Sequence, residues 1–432
     1  MKPEPTSGVA GRIALVCSEP VRASMAGTAI RYVEIARHLA AAGHPVTLIS
    51  PAAEQEDAAP ELPTNVRRVP FKRGAIDEAT AGCIAAVGQG QLVNDLVIER
   101  PDLPVAVDLY DPWLVENLHY VDTLGYDPYR NDHASWMLQL SRGDLFLCSC
   151  EPQRLFLLGL LTALGRVNPD SMREDPSFDR LVSVVPFGLP DSVPEHRPLL
   201  PPRRQGEQRL LFGGLYDWYD PQPLLEVLEK GDPGWRLLVI RTPNRETPQQ
   251  RFEEVRRWAQ RRGLWGDRVQ ALDWVPYERR YDLLRDVDVL VSTHRHSLET
   301  DLSMRTRFLD AMLVGCPIVV SSGGALSDLL ERSDAAWVVD PDDRAGLDAA
   351  VRRALGAQSD GEHPARLVRG RELARSFAWR HSLRPLLDFC AAPWRDEHKE
   401  RFVDVPRTVA PHDGVAFRVR RRLRALFGGS PA

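Results

Sequence analysis

Two rhythms of apolar residues alternate along the chain. Short unbroken runs of strand length recur at Ile13 to Cys17, Val46 to Ile49, 104–108, 144–148 and Val182 to Pro186. They recur again at 209–212, 236–240, 268–272, 286–292, 318–320 and 335–340. Between them lie stretches whose apolar positions fall at helical spacing. Ile30, Val33, Ile35, Ala36, Leu39 and Ala40 mark one such helix, stopped by Gly43; Phe308, Leu309, Met312 and Leu313 mark another, stopped by Gly315 and Pro317. The same reading predicts short strands at Val66 to Val69 and Leu96 to Glu99, a helix over 76–93, and helices near 344–355 and 363–390. The run of strands alternating with helices specifies an α/β protein with parallel sheets.

The alternation stops and restarts. Residues 191–208 are rich in proline and charge, which suits a connector rather than an internal strand. The division expected is an N-terminal unit over 1–195, a linker over 196–208 and a C-terminal unit over 209–370. A terminal helix at 371–390 is expected to cross back to the N-terminal unit, followed by a Pro/Arg-rich tail over 391–432.

Composition narrows this picture little. A net charge of −5 with interspersed signs gives no nucleic-acid surface. The six cysteines are scattered, with Cys148 and Cys150 the single close pair, so neither a disulfide framework nor a metal site is expected. Reduced thiols and the lack of a signal-like start point to the cytoplasm. The apolar stretch 155–164 is too short to span a bilayer, and the basic segment near 417–427 has no clean amphipathic face, so no stable membrane partner is expected.

The chemistry concentrates at 291–324, where a buried strand opens into a loop dense in His, Glu, Asp and Arg before a helix. In a parallel sheet that loop lies at the strand's C-terminal end, where open α/β folds bind ligands. Ser303 and Met304 are expected at the helix entrance, where free amides favour an anion. Arg305 and Arg307 add positive charge, but two residues apart they cannot share a helical face. Asp310 offers two acceptor atoms on the following helix. In the first unit, Gly27 either permits a tight turn or admits a ligand to the following helix, with Arg31 one turn inside. Asp108, Tyr110 and Asp111 end an apolar strand where substrates bind, although capping and turn roles fit each carboxylate equally. Arg154 either pairs with Glu151 or reaches into a cleft.

These pieces resemble, in order, the retaining GT-B glycosyltransferases of family four. The likeness rests on MAGTAIRYVEIARHLAAAGHPVTLIS, VVPFGLP, LLFGG and RFLDAMLVGCPIVVSSGGALSDLL, and is nearer still to a bacterial branch carrying FGGLYDWYDP, DWVPY and STHRHSLETDLSMRTRFLD. The resemblance implies a GT-B fold, two doubly wound Rossmann-like domains facing across a cleft. It implies transfer of a sugar, with retention, from a nucleotide diphosphate donor to a small polar acceptor of bacterial secondary-metabolite or polysaccharide assembly, without a further cofactor. By subgroup likeness GDP is expected ahead of UDP. One specific candidate is ergothioneine S-glycosylation from a GDP-octose in lincosamide biosynthesis; the alternative is an inactive nucleotide-sugar-binding scaffold.

The same resemblance assigns roles. Arg305 or Arg307 would stabilise the departing diphosphate, aided by Gly213 and Gly214, whose backbone would approach it. Trp274 and Val275 would border the base, and Asp310 would accept from the ribose hydroxyls. Asp111 and His119 would serve the reacting sugar. The family's first acidic residue would stand eight positions before Asp310, where this chain has Leu302, leaving Glu299, Asp301 or neither to replace it. Nothing in these residues fixes the oligomeric state.

Overall fold

The computed structural model describes residues 10–52, 60–241, 248–356 and 362–400. Two wholly parallel sheets carry the chain. The first contains β1 (Arg12–Val16), β2 (Val46–Ser50), β3 (Val66–Pro70), β4 (Cys83–Gly88), β5 (Val105–Asp108), β6 (Leu145–Cys148) and β7 (Val182–Val184) in the order 3-2-1-4-5-6-7. The second contains β8 (Gln208–Gly214), β9 (Trp235–Ile240), β10 (Val269–Leu272), β11 (Val289–Ser292), β12 (Ile318–Ser321) and β13 (Trp337–Val339) in the order 10-9-8-11-12-13. Each order reverses beside the sheet's first strand, at β1/β4 and at β8/β11. That reversal opens a crevice at the strands' C-terminal ends. Strands β5, β6 and β11 are fully buried, and β1 is from Ile13 onward, which is why they read as continuous apolar runs rather than alternating ones.

One stretch departs from the predicted pattern. Residues 76–93 hold a one-turn helix, Ile76–Ala79, and then β4, whereas the strand predicted at 96–99 lies inside the helix Leu92–Glu99. Ala85 and Ala86 carry helical propensity, but β4 is inserted beside β1, and burial between neighbouring strands overrides that preference. The chain after 363 is also not one helix. It breaks after Ser376, where Ala378 bridges to Leu189, and resumes at Trp379–Ser382 and Arg384–Ala391.

The break returns the chain to the first domain. The Trp379 ring packs on Phe187 at 5.0 Å, and a Cβ placed on Gly188 would come within 2.2 Å of it. Beyond that, Asp396 pairs with the buried Arg166 at 2.7 Å and Lys399 with Asp144 at 2.7 Å, fastening 391–400 to the first sheet's domain. The basic 417–427 segment lies outside the described residues. Across the crevice, Gln153 Nε2, which also donates to Tyr110 O (2.9 Å) in its own domain, donates to Leu302 O (2.7 Å), and Trp274 Nε1 donates to Met25 O (3.1 Å). Among the described residues, no helix is long and apolar enough to cross a membrane.

Candidate active site

Two cavities meet between the sheets. One, of about 290 Å³, lies among Gly27, Tyr110, Asp111, Glu116, Tyr219 and Arg305; the other, of about 230 Å³, lies among Gly213, Trp274, Val275, Arg280 and Asp310. Gly27, Tyr216, Thr306 and Arg307 line both, so these residues form the junction.

Two helices begin there. The helix Gly27–Ala41 starts from Ala26, and its Ala29 amide donates to Glu19. The helix Arg307–Val314 starts from Thr306. Among the described residues the amides of Gly27, Thr28, Thr306 and Arg307 have no backbone or side-chain acceptor. Free first-turn amides and the aligned helix dipole suit an anion. The expected entrance at Ser303 and Met304 is therefore displaced: a separate short helix occupies Leu298–Leu302, and the Ser303 amide is already bonded to Glu299 O. Ser303 and Met304 still line the larger cavity, in an extended connection.

That connection changes how the two arginines relate. Because Arg305 precedes the helix, the helical rule that separates it from Arg307 does not apply. Both guanidinium groups lie over the Tyr219 ring, at 5.0 and 4.6 Å from its centroid. Arg305 is buried and held by Glu299 at 3.0 Å. Burial opposes its charge, but Tyr219 and Glu299 outweigh that, and its pKa rises. Arg307 donates through Nη1 to the carbonyls of Phe212 (2.9 Å) and Gly214 (3.1 Å). These carbonyls are presented by a register shift in β8, where Gly213 adopts φ +85°. A Cβ there would stand 2.9 Å from Arg307 Nη1, so glycine is required by both conformation and space.

Trp274, Val275 and Asp310 line the smaller cavity together. Asp310 faces Arg280 at 3.3 Å, and Arg280 is stacked between Tyr277 and Tyr281 at 3.9 and 4.0 Å. Burial pushes the Asp310 carboxyl up, opposed by Arg280. Arg280 was not singled out from sequence; its flanking tyrosines in YERRY were the available signal.

The first domain places its candidates differently from the sequence reading. Arg31 is fully buried, bonded to both carboxylate oxygens of Asp108 (2.7 and 3.1 Å) and to Pro186 O (3.1 Å). Its donors are consumed inside the domain, and it does not reach the junction. Gly27 is explained by close approach, since a Cβ would lie 2.9 Å from the Tyr110 hydroxyl. Arg154 pairs with Glu151 and Asp179 and stays outside the crevice. His119 is largely exposed, its ring centroid 6.3 Å from that of Trp218, and does not line the cavity; partial desolvation lowers its pKa, opposed by Glu299 and Asp217. Glu116 and Asn117, just before it, take the cavity-facing places.

Glu19, Asp111, Glu116 and Glu299 are the cavity's four carboxylates. Burial raises Asp111 to about 7, reinforced by Asp108 and Glu19 and opposed by Tyr110 and Arg31. Burial, then Asp111 and Glu299, push Glu116 well above the ordinary range. Glu19 and Glu116 escaped the sequence reading because their proximity depends on two different strand ends.

Comparison with known proteins fixes the fold. The family described as Glycosyl transferases group 1 matches residues 221–357. No curated protein matches the chain. Among solved structures, Anabaena HepE in complex with UDP-glucose has a TM-score of 0.63 at 12% identity, covering 88% of this chain and 100% of that one. Sucrose-phosphate synthase from Thermosynechococcus elongatus has a TM-score of 0.61 at 15% identity, covering 86% and 96%. The Escherichia coli trehalose-6-phosphate protein bound with UDP-2-fluoro glucose has a TM-score of 0.58 at 15% identity, covering 89% and 100%. The chain therefore has a GT-B-like fold, two parallel-sheet α/β domains across a cleft. The comparisons overturn the expected GDP preference: the nucleotides named in these similar structures are UDP and UDP-sugars. The lincosamide candidate, which requires a GDP-octose, falls with it.

Proposed function

We propose that this protein is a retaining glycosyltransferase with the family-four layout, taking a sugar from a uridine diphosphate donor to a small polar acceptor. The junction carries the reading: free amides from two helices and the Arg307 guanidinium meet where a nucleoside-sized pocket joins a polar one. In this assignment Trp274 and Val275 border the uracil, Asp310 accepts from the ribose, and Thr306, Arg307 and the Gly213–Gly214 backbone receive the diphosphate. Glu299, held by Arg305 and Ser303, faces the donor sugar and stands in for the carboxylate missing at Leu302.

The chemistry follows from that arrangement. An acceptor lone pair bonds to the anomeric carbon as the bond from that carbon to the phosphate oxygen breaks. The electron pair leaves on UDP, and the acceptor proton passes to a phosphate oxygen on the same face. Amides and guanidinium already oriented toward the leaving group stabilise the charge that develops there. A closed crevice aligns the reactants and excludes water.

The scaffold reading draws on Leu302 and on the absence of basic residues after β8, where the family has Arg and Lys. Release of UDP from purified protein supplied with UDP-glucose and other UDP-sugars separates the two. Transfer predicts UDP release that falls sharply in Arg307→Ala; nucleotide binding with no release from any donor supports the scaffold.

A further inference from the structure

The first-domain side of the larger cavity has a charge pattern that donor binding does not use. Glu299 is neutralised by Arg305, and Arg307 is turned to the β8 carbonyls. Arg31, the nearest cation behind Asp111, is consumed by Asp108. Asp111 and Glu116 are left facing the cavity without a cationic partner of their own, and Glu19 adds a third carboxylate on the same side. The walls between them are aromatic: Tyr110, Tyr120, Tyr216 and Trp218.

Tyr120 supplies an independent sign of a ligand. It is 6% exposed and lines the cavity, yet its hydroxyl has no hydrogen-bond partner among the described residues. A buried unpaired hydroxyl is costly, and a ligand that bonds to it removes the cost. Carboxylates beside ring faces form the environment that attracts a positively charged organic group. Among the described residues no group of His, Cys, Asp or Glu is placed to hold a metal ion, so the pattern suits an organic cation.

We propose that the acceptor is a small hydroxylated molecule bearing an ammonium group, seated between Asp111 and Glu116 against Tyr120 and Trp218. This rests on the transfer reading above and names its acceptor class. The ammonium draws Asp111 and Glu116 into their ionised forms and pairs with them, while the Tyr120 hydroxyl bonds to an acceptor oxygen. The cation also offsets the negative charge that UDP brings into a cavity already rich in carboxylates, so acceptor and donor bind more tightly together than apart.

Calorimetric titration of UDP-loaded protein with matched pairs tests this: glucosamine against glucose, and scyllo-inosamine against scyllo-inositol. The cationic member of at least one pair is expected to bind about tenfold to a hundredfold more tightly, as for a charge-assisted bond. Glu116→Gln and Asp111→Asn should each shrink that ratio, with melting temperature and UDP binding reporting whether each variant is folded. Neutral members binding as well as their cationic twins, neither cation binding at all, or a ratio unchanged in both folded variants would overturn the proposal. Failure of wild-type protein to bind UDP would instead strike the transfer reading.

Discussion

Arg31 and Arg307 show how far a residue's type falls short of its role. Both stand near a helix start beside the crevice, but one is locked to a buried carboxylate and the other to two main-chain carbonyls. Removing one partner of a buried pair leaves an uncompensated charge, so Arg31→Ala should cost about 3–5 kcal/mol of stability, read by denaturant unfolding. Arg307→Ala should cost less, about 1–3 kcal/mol for the two carbonyls it leaves, and lower kcat/KM for a UDP-sugar by about tenfold to a hundredfold, the loss of a charged contact. Asp111 gives a pH signature. Its folded pKa lies near 7, above an unfolded value near 3.8, so the folded state holds a proton that the unfolded chain has lost. Stability on its account is greatest below about pH 4 and declines as pH rises toward 7. Glu19 and Asp108 reinforce the shift; Tyr110 and Arg31 oppose it. Asp111→Asn should flatten that decline in melting curves taken across the window, and an unchanged slope would remove Asp111 from the account. The sequence pointed to Asp111 through its strand end, but Glu116 and Tyr219 acquire meaning only from neighbours supplied by the other domain.

At the scale of elements, legibility followed pattern strength. Strands β1, β5, β6, β11 and β12 stood out as apolar runs bounded by polar residues, and the helix at Gly27 as an apolar face ending in glycine. Residues 83–99 misled because alanine-rich CIAAVG has no period that separates a buried strand from a helix, and LVNDLVIE is short enough to pass for a strand. The offset between the Leu298–Leu302 helix and the Arg307 helix was likewise hidden, since no proline or glycine marks the break at 303–306. Two glycines test the packing of elements. Gly213→Ala places an L side chain at φ +85° against Arg307, which should weaken UDP binding and lower stability by about 1 kcal/mol or more. Gly188→Ala collides with Trp379 and should loosen the returning C-terminal helices, lowering the melting temperature by several degrees in a thermal scan.

Over the whole molecule, the two-domain plan was readable because the strand and helix alternation restarts after the proline-rich connector. The relation between domains was not, since it depends on apolar packing and polar contacts between residues far apart in the chain. Gln153 is the clearest of these: buried, fully bonded, and tied to Leu302 of the opposite domain. Gln153→Leu should leave UDP affinity nearly unchanged but reduce turnover, if closure through this bond aligns donor and acceptor. The arrangement of the diphosphate between the Gly27 and Arg307 helices is the claim on which the remainder rests. A crystal structure of the UDP complex tests it directly. The account predicts diphosphate oxygens within hydrogen-bonding distance of the Thr306 or Arg307 amide and of the Arg307 guanidinium, with the base against Trp274 and Val275. A diphosphate held elsewhere, with Arg307 still bonded only to Phe212 and Gly214, would contradict it.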